Sequence, residues 1–188
     1  MMLKVRMAAS LVMVTLAFAV LGIPTPQPVA AGSAGQIDSE VNAAFGSLLR
    51  SNSEARFLNE KAVGVLVFPN IVKAGFLFGA QYGEGALRQR GKTTGYYNTM
   101  AASYGLQAGA QKFGYALFFM SNSALQYLET SGGFELGTGP SLVVLDEGAA
   151  RALTTSTIQS DIYAIFFDQR GLMAGLGIQG SKISRLYK

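Results

Sequence analysis

The sequence contains no cysteine and no histidine. That excludes a disulfide framework, a thiolate nucleophile, a Cys/His zinc site and an imidazole base, so the chain must hold together by core packing alone. It also excludes a lipid-modified cysteine as a membrane anchor. Charge is scarce as well: charged residues make up 14% against 49% hydrophobic, apolar enough for a core and too apolar for disorder. Prolines number only 5 while glycines reach 23. No collagen-like period accompanies them, which assigns the glycines to turns, bulges and closely packed strands. The 188 residues suffice for one ordinary domain.

The formal charge of +4 is unevenly placed. Without Lys4 and Arg6, thirteen basic residues face eleven acidic ones, a balance of +2 that does not argue for nucleic acid. Those two cations precede an apolar run at 7–23, then Pro24, Pro26 and Pro28, then Val29-Ala30-Ala31. This is the tripartite pattern of a secretory signal, with cleavage after Ala31 and Ala34 as a second candidate site. An uncleaved anchor is the competing reading, since the run is near the lower limit of the ~17–25 residues that span a bilayer. The expected organisation is a signal peptide at 1–31, a flexible lead-in at 32–36 and a single domain at 37–188, exported to the periplasm or cell surface.

Ile37, Val41, Ala44, Phe45 and Leu48 recur at helical spacing, and Ser53 is placed to cap a second short helix ending near Lys61. Beyond Ala62 the period changes. Strands are expected at 63–68, 73–80, 85–90, 94–109 and 113–120, a helix at 121–129, and further strands at 134–136, 141–145, 161–167, 171–179 and 182–186. Short turns and the lack of alternating long helices argue against a parallel βαβ sheet. The expected fold is α+β and β-rich: a curved antiparallel sheet closing into a barrel, flanked by short helices, with a two-layer sandwich as the alternative. Gly75-Phe-Leu-Phe-Gly79-Ala-Gln81 is echoed by Gly105-Leu-Gln-Ala-Gly109-Ala-Gln111. Each copy makes a stripe without side chains that allows sharp curvature or close approach of another segment.

Two phosphate-loop look-alikes fail. Gly175-Leu-Gly177-Ile-Gln-Gly180 spells G-x-G-x-x-G, but only eight residues follow and they read as strand. The stretch from Gly85 to Gly91-Lys92-Thr93 has five residues between its glycines where a phosphate loop needs four, and reads as a basic hairpin tip. Asp146 and Glu147, the only adjacent acids, read as a solvated turn. No cofactor or metal site and no arranged catalytic set emerges. What remains is basic: Arg88, Arg90 and Lys92 lie within five residues, and Lys73, Lys112, Lys182 and Arg185 are candidates to extend the same face. Anionic lipid headgroups are natural partners for such a group, and a solubilising loop is the plainer alternative. Tyr96, Tyr97 and Tyr104 are candidates to line a pocket or an interface.

The stretches GVLVFPNIVKAGFLFGAQYGEGALR, GYYNTMAASYGLQAGAQ, SNSALQYLETSGGFELG and QRGLMAGLGIQGSKIS together resemble the SYLF lipid-binding domain family, which is related to a yeast actin-binding domain. The resemblance runs from about Ala62 to Leu186. It implies non-enzymatic binding of phosphoinositides or other anionic lipids, and a bacterial exported branch in which actin is not a partner. An envelope protein is the alternative partner. Bacterial relatives often carry Trp where this chain has Phe134, which weakens any anchoring role for that ring. The helix at 37–50, with two acids and one base, suits packing on the domain better than docking on an anionic bilayer.

Overall fold

The computed structural model describes residues 31–145, 158–171, 178 and 180–188, except for the side chains at 76–77, 103–108 and 171. The expected signal through residue 30, Asp146 and Glu147, and most of the expected strand 171–179 lie outside the described residues.

Three helices and five strands are present among the described residues: α1 (Ala34–Ser51), α2 (Ser53–Lys61), β1 (Gly64–Gln89), β2 (Lys92–Phe119), α3 (Asn122–Thr130), β3 (Leu142–Leu145), β4 (Ile162–Gly171) and β5 (Lys182–Leu186). Helix α1 begins within the expected lead-in, because Ser33 and Gln36 form a reciprocal capping box. Asn52, one residue before the expected cap, starts α2 by accepting the Ala55 amide at 2.7 Å.

The expected strands 63–68, 73–80 and 85–90 are one continuous strand, and 94–109 with 113–120 are another. Pro69 does not end β1. It falls at a bulge between Phe68 and Ile71, on a strand that forms the sheet edge, where a missing N–H is tolerated. Arg90 and Gly91, with φ of 50° and 78°, make the two-residue turn that joins β1 to β2.

Strand β1 folds back on itself. A Cβ on Gly83 would lie 2.7 Å from Ile71 Cγ1 and 2.9 Å from the Asn70 carbonyl oxygen. One on Gly85 would press on the Val67 carbonyl and lie 2.7 Å from Phe68 Cδ1. Near the bend, one on Gly75 would lie 2.9 Å from Gly79 N. Of the two expected stripes, the first makes a close approach, Gly75 to Gly79, while Gly109 of the second, its cross-strand partner, has nothing within 4 Å of an added Cβ; the contact between the returning arms is made by Gly83 and Gly85, outside both stripes.

The two faces of the bent sheet bury different cores. The inner one gathers Leu66, Phe68, Ile71, Leu87, Tyr97, Tyr115 and Leu117 with Leu125 and Leu128 of α3. The outer one packs Val65, Val67, Ala86 and Phe118 against Ile37, Val41 and Leu48 of α1 and Leu58 of α2.

The sheet does not close into the expected barrel. Its order is β1-β2-β4-β3 with β5 also on β2, and β1 and β3 remain at its two edges. Fold-back of one hairpin encloses the inner core without joining those edges. Nor is the sheet wholly antiparallel: β3 runs parallel to β4, after a connection long enough for a crossover. The expected strand 134–136 is only a bridge between Glu135 and Lys182.

Asp161 ties these parts together by accepting from Ser121 Oγ at 2.9 Å, Ser141 Oγ at 2.8 Å and Ser141 N at 3.1 Å. The Ser141 hydroxyl, then Ser121, hold its carboxyl below the usual range. A depressed folded-state pKa contributes stability above the unfolded value of about 3.9 that is lost as pH falls through the folded value. Asp161→Asn should therefore flatten the acid limb of a stability–pH curve measured by urea denaturation.

Gly85→Ala should cost about 1–3 kcal/mol, the range for overpacking a tight site. Gly35→Ala, on α1 with nothing within 4 Å of the added atom, should be neutral or stabilising by about 0.5–1 kcal/mol. Chemical denaturation of both variants checks the contrast.

Candidate functional site

Six of the sequence-selected cations fall into three places. Arg88, Arg90 and Lys92 gather at the hairpin tip, along one side of a cleft of about 1240 Å³ whose other walls include Asn42, Phe45 and Leu49 of α1 and Leu125 of α3. Lys112 and Lys182 lie far from that tip, on the outer face of the bend. Lys73 is buried, turned to the inner face.

The cleft is built by the docking of α1. Asp38 accepts from Thr93 Oγ1 at 2.7 Å and from Tyr96 Oη at 2.9 Å. Burial, then the Asp38 carboxylate, push the Tyr96 hydroxyl above its usual pKa, so the phenol stays a donor. Arg88 donates to Asn42 Oδ1 and, at 2.7 Å, to the Gly91 carbonyl. Its guanidinium therefore holds the helix to the tip, while Arg90 and Lys92 are exposed.

The bend has an inverted pattern. A half-covered antiparallel sheet ordinarily places apolar residues inward and polar ones outward. Here the inward residues are Lys73, Gln81, Thr99 and Gln111, all buried. Gln81 Nε2 reaches Ser181 Oγ at 2.9 Å, and Thr99 accepts from Tyr115 at 2.8 Å. Outward stand Val72 at 53% exposure, Phe78 at 70% and Met100 at 47%, with exposed Ala74, Ala80 and Ala110.

Cross-strand partners share a face. Val72 pairs with Lys112 and Lys112 with Arg170, while Met100 pairs with Lys182. Each exposed apolar residue named in these pairs thus has an exposed cation beside it, Lys112 for Val72 and Lys182 for Met100. Among the described residues, Glu135 forms a backbone β-bridge with Lys182, and Asp168 lies two residues before Arg170 on β4. Arg170 was not among the sequence-selected residues; its signal was the pairing of β4 with β2, which single-strand periodicity does not carry.

Of the tyrosines, Tyr96 packs beneath α1, Tyr97 is fully buried in the inner core, and the Tyr104 side chain lies outside the described residues. Phe134 is also buried, edge-on to Tyr127 at 5.6 Å, so it is not available to a membrane. Helix α1 packs on the domain, as its charge balance implies. Among the described residues no helix is long and apolar enough to cross a membrane.

These features define an open-sheet α+β domain whose exposed apolar surface is made by strands. Its C-terminal part, residues 100–187, matches the model of the Ysc84 family, described as Las17-binding protein actin regulator. No curated protein matches the chain.

Asp38→Ala removes two of the hydrogen bonds that pin α1 beside the tip, those from Thr93 and Tyr96, and leaves the Arg88–Asn42 bond. At about 0.5–1.5 kcal/mol for each bond, urea denaturation should show a loss of about 1–3 kcal/mol.

Proposed function

We propose that this domain binds anionic lipid surfaces without catalysing a reaction, and that it docks through the outer face of the bend. The inverted pattern carries this reading: Val72, Phe78 and Met100 face outward, with Lys112 and Arg170 beside Val72 and Lys182 beside Met100. Near an anionic leaflet a cation contributes about 1 kcal/mol. Three give about 3 kcal/mol, short of the roughly 4 kcal/mol of a millimolar complex. The apolar side chains must supply the remainder, at about 25 cal/mol per Å² removed from water.

The lipid-binding reputation of the resembled family supports this reading. The N-terminal signal pattern supports a setting in the periplasm or at the cell surface, where actin is not a partner. The family's description as a Las17-binding regulator favours a second reading, in which the same face meets a protein of the envelope.

Co-sedimentation with phosphatidylcholine vesicles containing increasing phosphatidylglycerol tests the proposal. Binding should rise with the anionic fraction and fall with salt, because exposed charges are screened over about 8–10 Å. Phe78→Ser combined with Lys112→Glu and Lys182→Glu should weaken binding at least tenfold, and Arg90→Glu with Lys92→Glu by less than about twofold, a split that follows from where the apolar surface lies. The opposite split would move the headgroup site to the cleft. Indifference to both lipid charge and salt would overturn the electrostatic part altogether. A photo-crosslinker at position 78 that captures a single envelope protein, with vesicle binding absent, would establish the second reading instead.

A further inference from the structure

The residues just before α1 are held in an unusual environment. Gly32 N donates to Glu84 Oε2 at 2.9 Å. The same carboxylate receives Tyr82 Oη at 2.9 Å and Lys188 Nζ at 3.3 Å, and Lys188 Nζ also donates to the Gly32 carbonyl. The Glu84 and Lys188 side chains are only 11% and 14% exposed. A Cβ on residue 32 would lie 3.2 Å from Glu84 Oε2, tighter than an ordinary contact. The next residue, Ser33, is the α1 cap, accepting from Gln36 N at 3.3 Å while its own amide donates to Gln36 Oε1 at 2.8 Å. Ala31, immediately upstream, is exposed.

We infer that the Ala31–Gly32 peptide bond is the processing site of this chain, and that the α-ammonium released on Gly32 takes the Glu84 carboxylate as its counter-ion. Val29 and Ala31 are the small or branched residues that a signal peptidase reads. In the hydrolysis the hydroxyl of water joins the Ala31 carbonyl carbon. Its proton goes to the Gly32 nitrogen as the C–N bond breaks, and the amine takes one more proton from solvent at neutral pH. A neutral amide hydrogen bond to Glu84 thereby becomes a charge-assisted one in the same place.

The competing site after Ala34 fits poorly. Cleavage there removes Gly32, with its grip on Glu84 and Lys188, and Ser33, with both arms of the capping box. Cleavage after Ala31 keeps every one of these contacts.

The inference rests on the export proposed above, and the test separates the two. The full chain is produced in a secreting bacterial host, and the N-terminus of the exported product is read by Edman sequencing and intact mass. The expected product begins Gly32-Ser33-Ala34-Gly35. An exported product beginning elsewhere overturns this inference and leaves export standing; an uncleaved, retained chain overturns both. The ion pair has its own measurement: Glu84→Gln is made in a chain starting at Gly32 and in one retaining Ala30-Ala31 ahead of it. The substitution should lower Tm by about 2–4 °C more in the Gly32-starting chain, the response of a protein this size to loss of one such pair. Equal shifts in the two chains would rule the pair out.

Discussion

The whole architecture depends on one backbone approaching itself. Strands β1 and β2, of 26 and 28 residues, would as a flat ribbon have two open faces and no interior, and an isolated two-stranded hairpin is marginally stable at best. Fold-back supplies the interior. It requires Gly83 and Gly85 to lie where any side chain would meet the backbone or side chains of residues 67–71. Once the arms return on each other, one face is enclosed and the other becomes the convex surface to which α1 and α2 dock. Helices α1 and α2 cover part of that surface, and at the bend Val72, Phe78 and Met100 remain exposed.

This division explains why polarity inverts where it does. Beneath α1 the outer face is apolar because it is buried, with Val65, Val67 and Ala86 in the outer core. At the bend the outer face still carries exposed Val72, Phe78 and Met100, and the inner face has become polar, with Lys73, Gln81, Thr99 and Gln111 buried. An exposed large apolar patch and a buried polar group are the two informative departures from ordinary burial. Here they occupy opposite sides of the same residues of sheet. Stability alone would favour the reverse arrangement.

Features governed by neighbours in sequence were legible in it. The basic hairpin tip, the three helices and the glycine stripes follow from local residue choice, and Ser121 caps α3 by accepting the Ala124 amide. The breaks expected within the long strands were not real, since glycine and a bulge bend a strand without ending its pairing. Closure into a barrel was inferred from curvature, but curvature concentrated at one bend makes a fold-back. The candidate cations show the same limit. Arg88, Arg90 and Lys92 share one cleft because they are neighbours in sequence. Lys73 turns inward because the bulge between Phe68 and Ile71 inserts a residue: before it Val65 and Val67 face out, and after it Val72 does. A one-residue slip reverses every later side chain, and nothing in the alternation of letters announces it.

The placement of charge matters more here than its amount. Past residue 31 the balance is only +2, too small for the whole molecule to be drawn strongly to an anionic surface. Position decides which cations are useful. Along β1 the tip at Gln89 lies up to roughly 35 Å from Phe78, at about 3.3 Å per residue, several times the distance over which salt screens a surface charge. The tip cations cannot therefore act together with the bend, and Arg88 is already engaged in holding α1. Lys112 and Lys182, by contrast, pair with the exposed Val72 and Met100, and Arg170 pairs with Lys112. Apolar area gives depth of contact and cations give preference for anionic surfaces. The bend is the part of this chain where strand pairing puts both on one face.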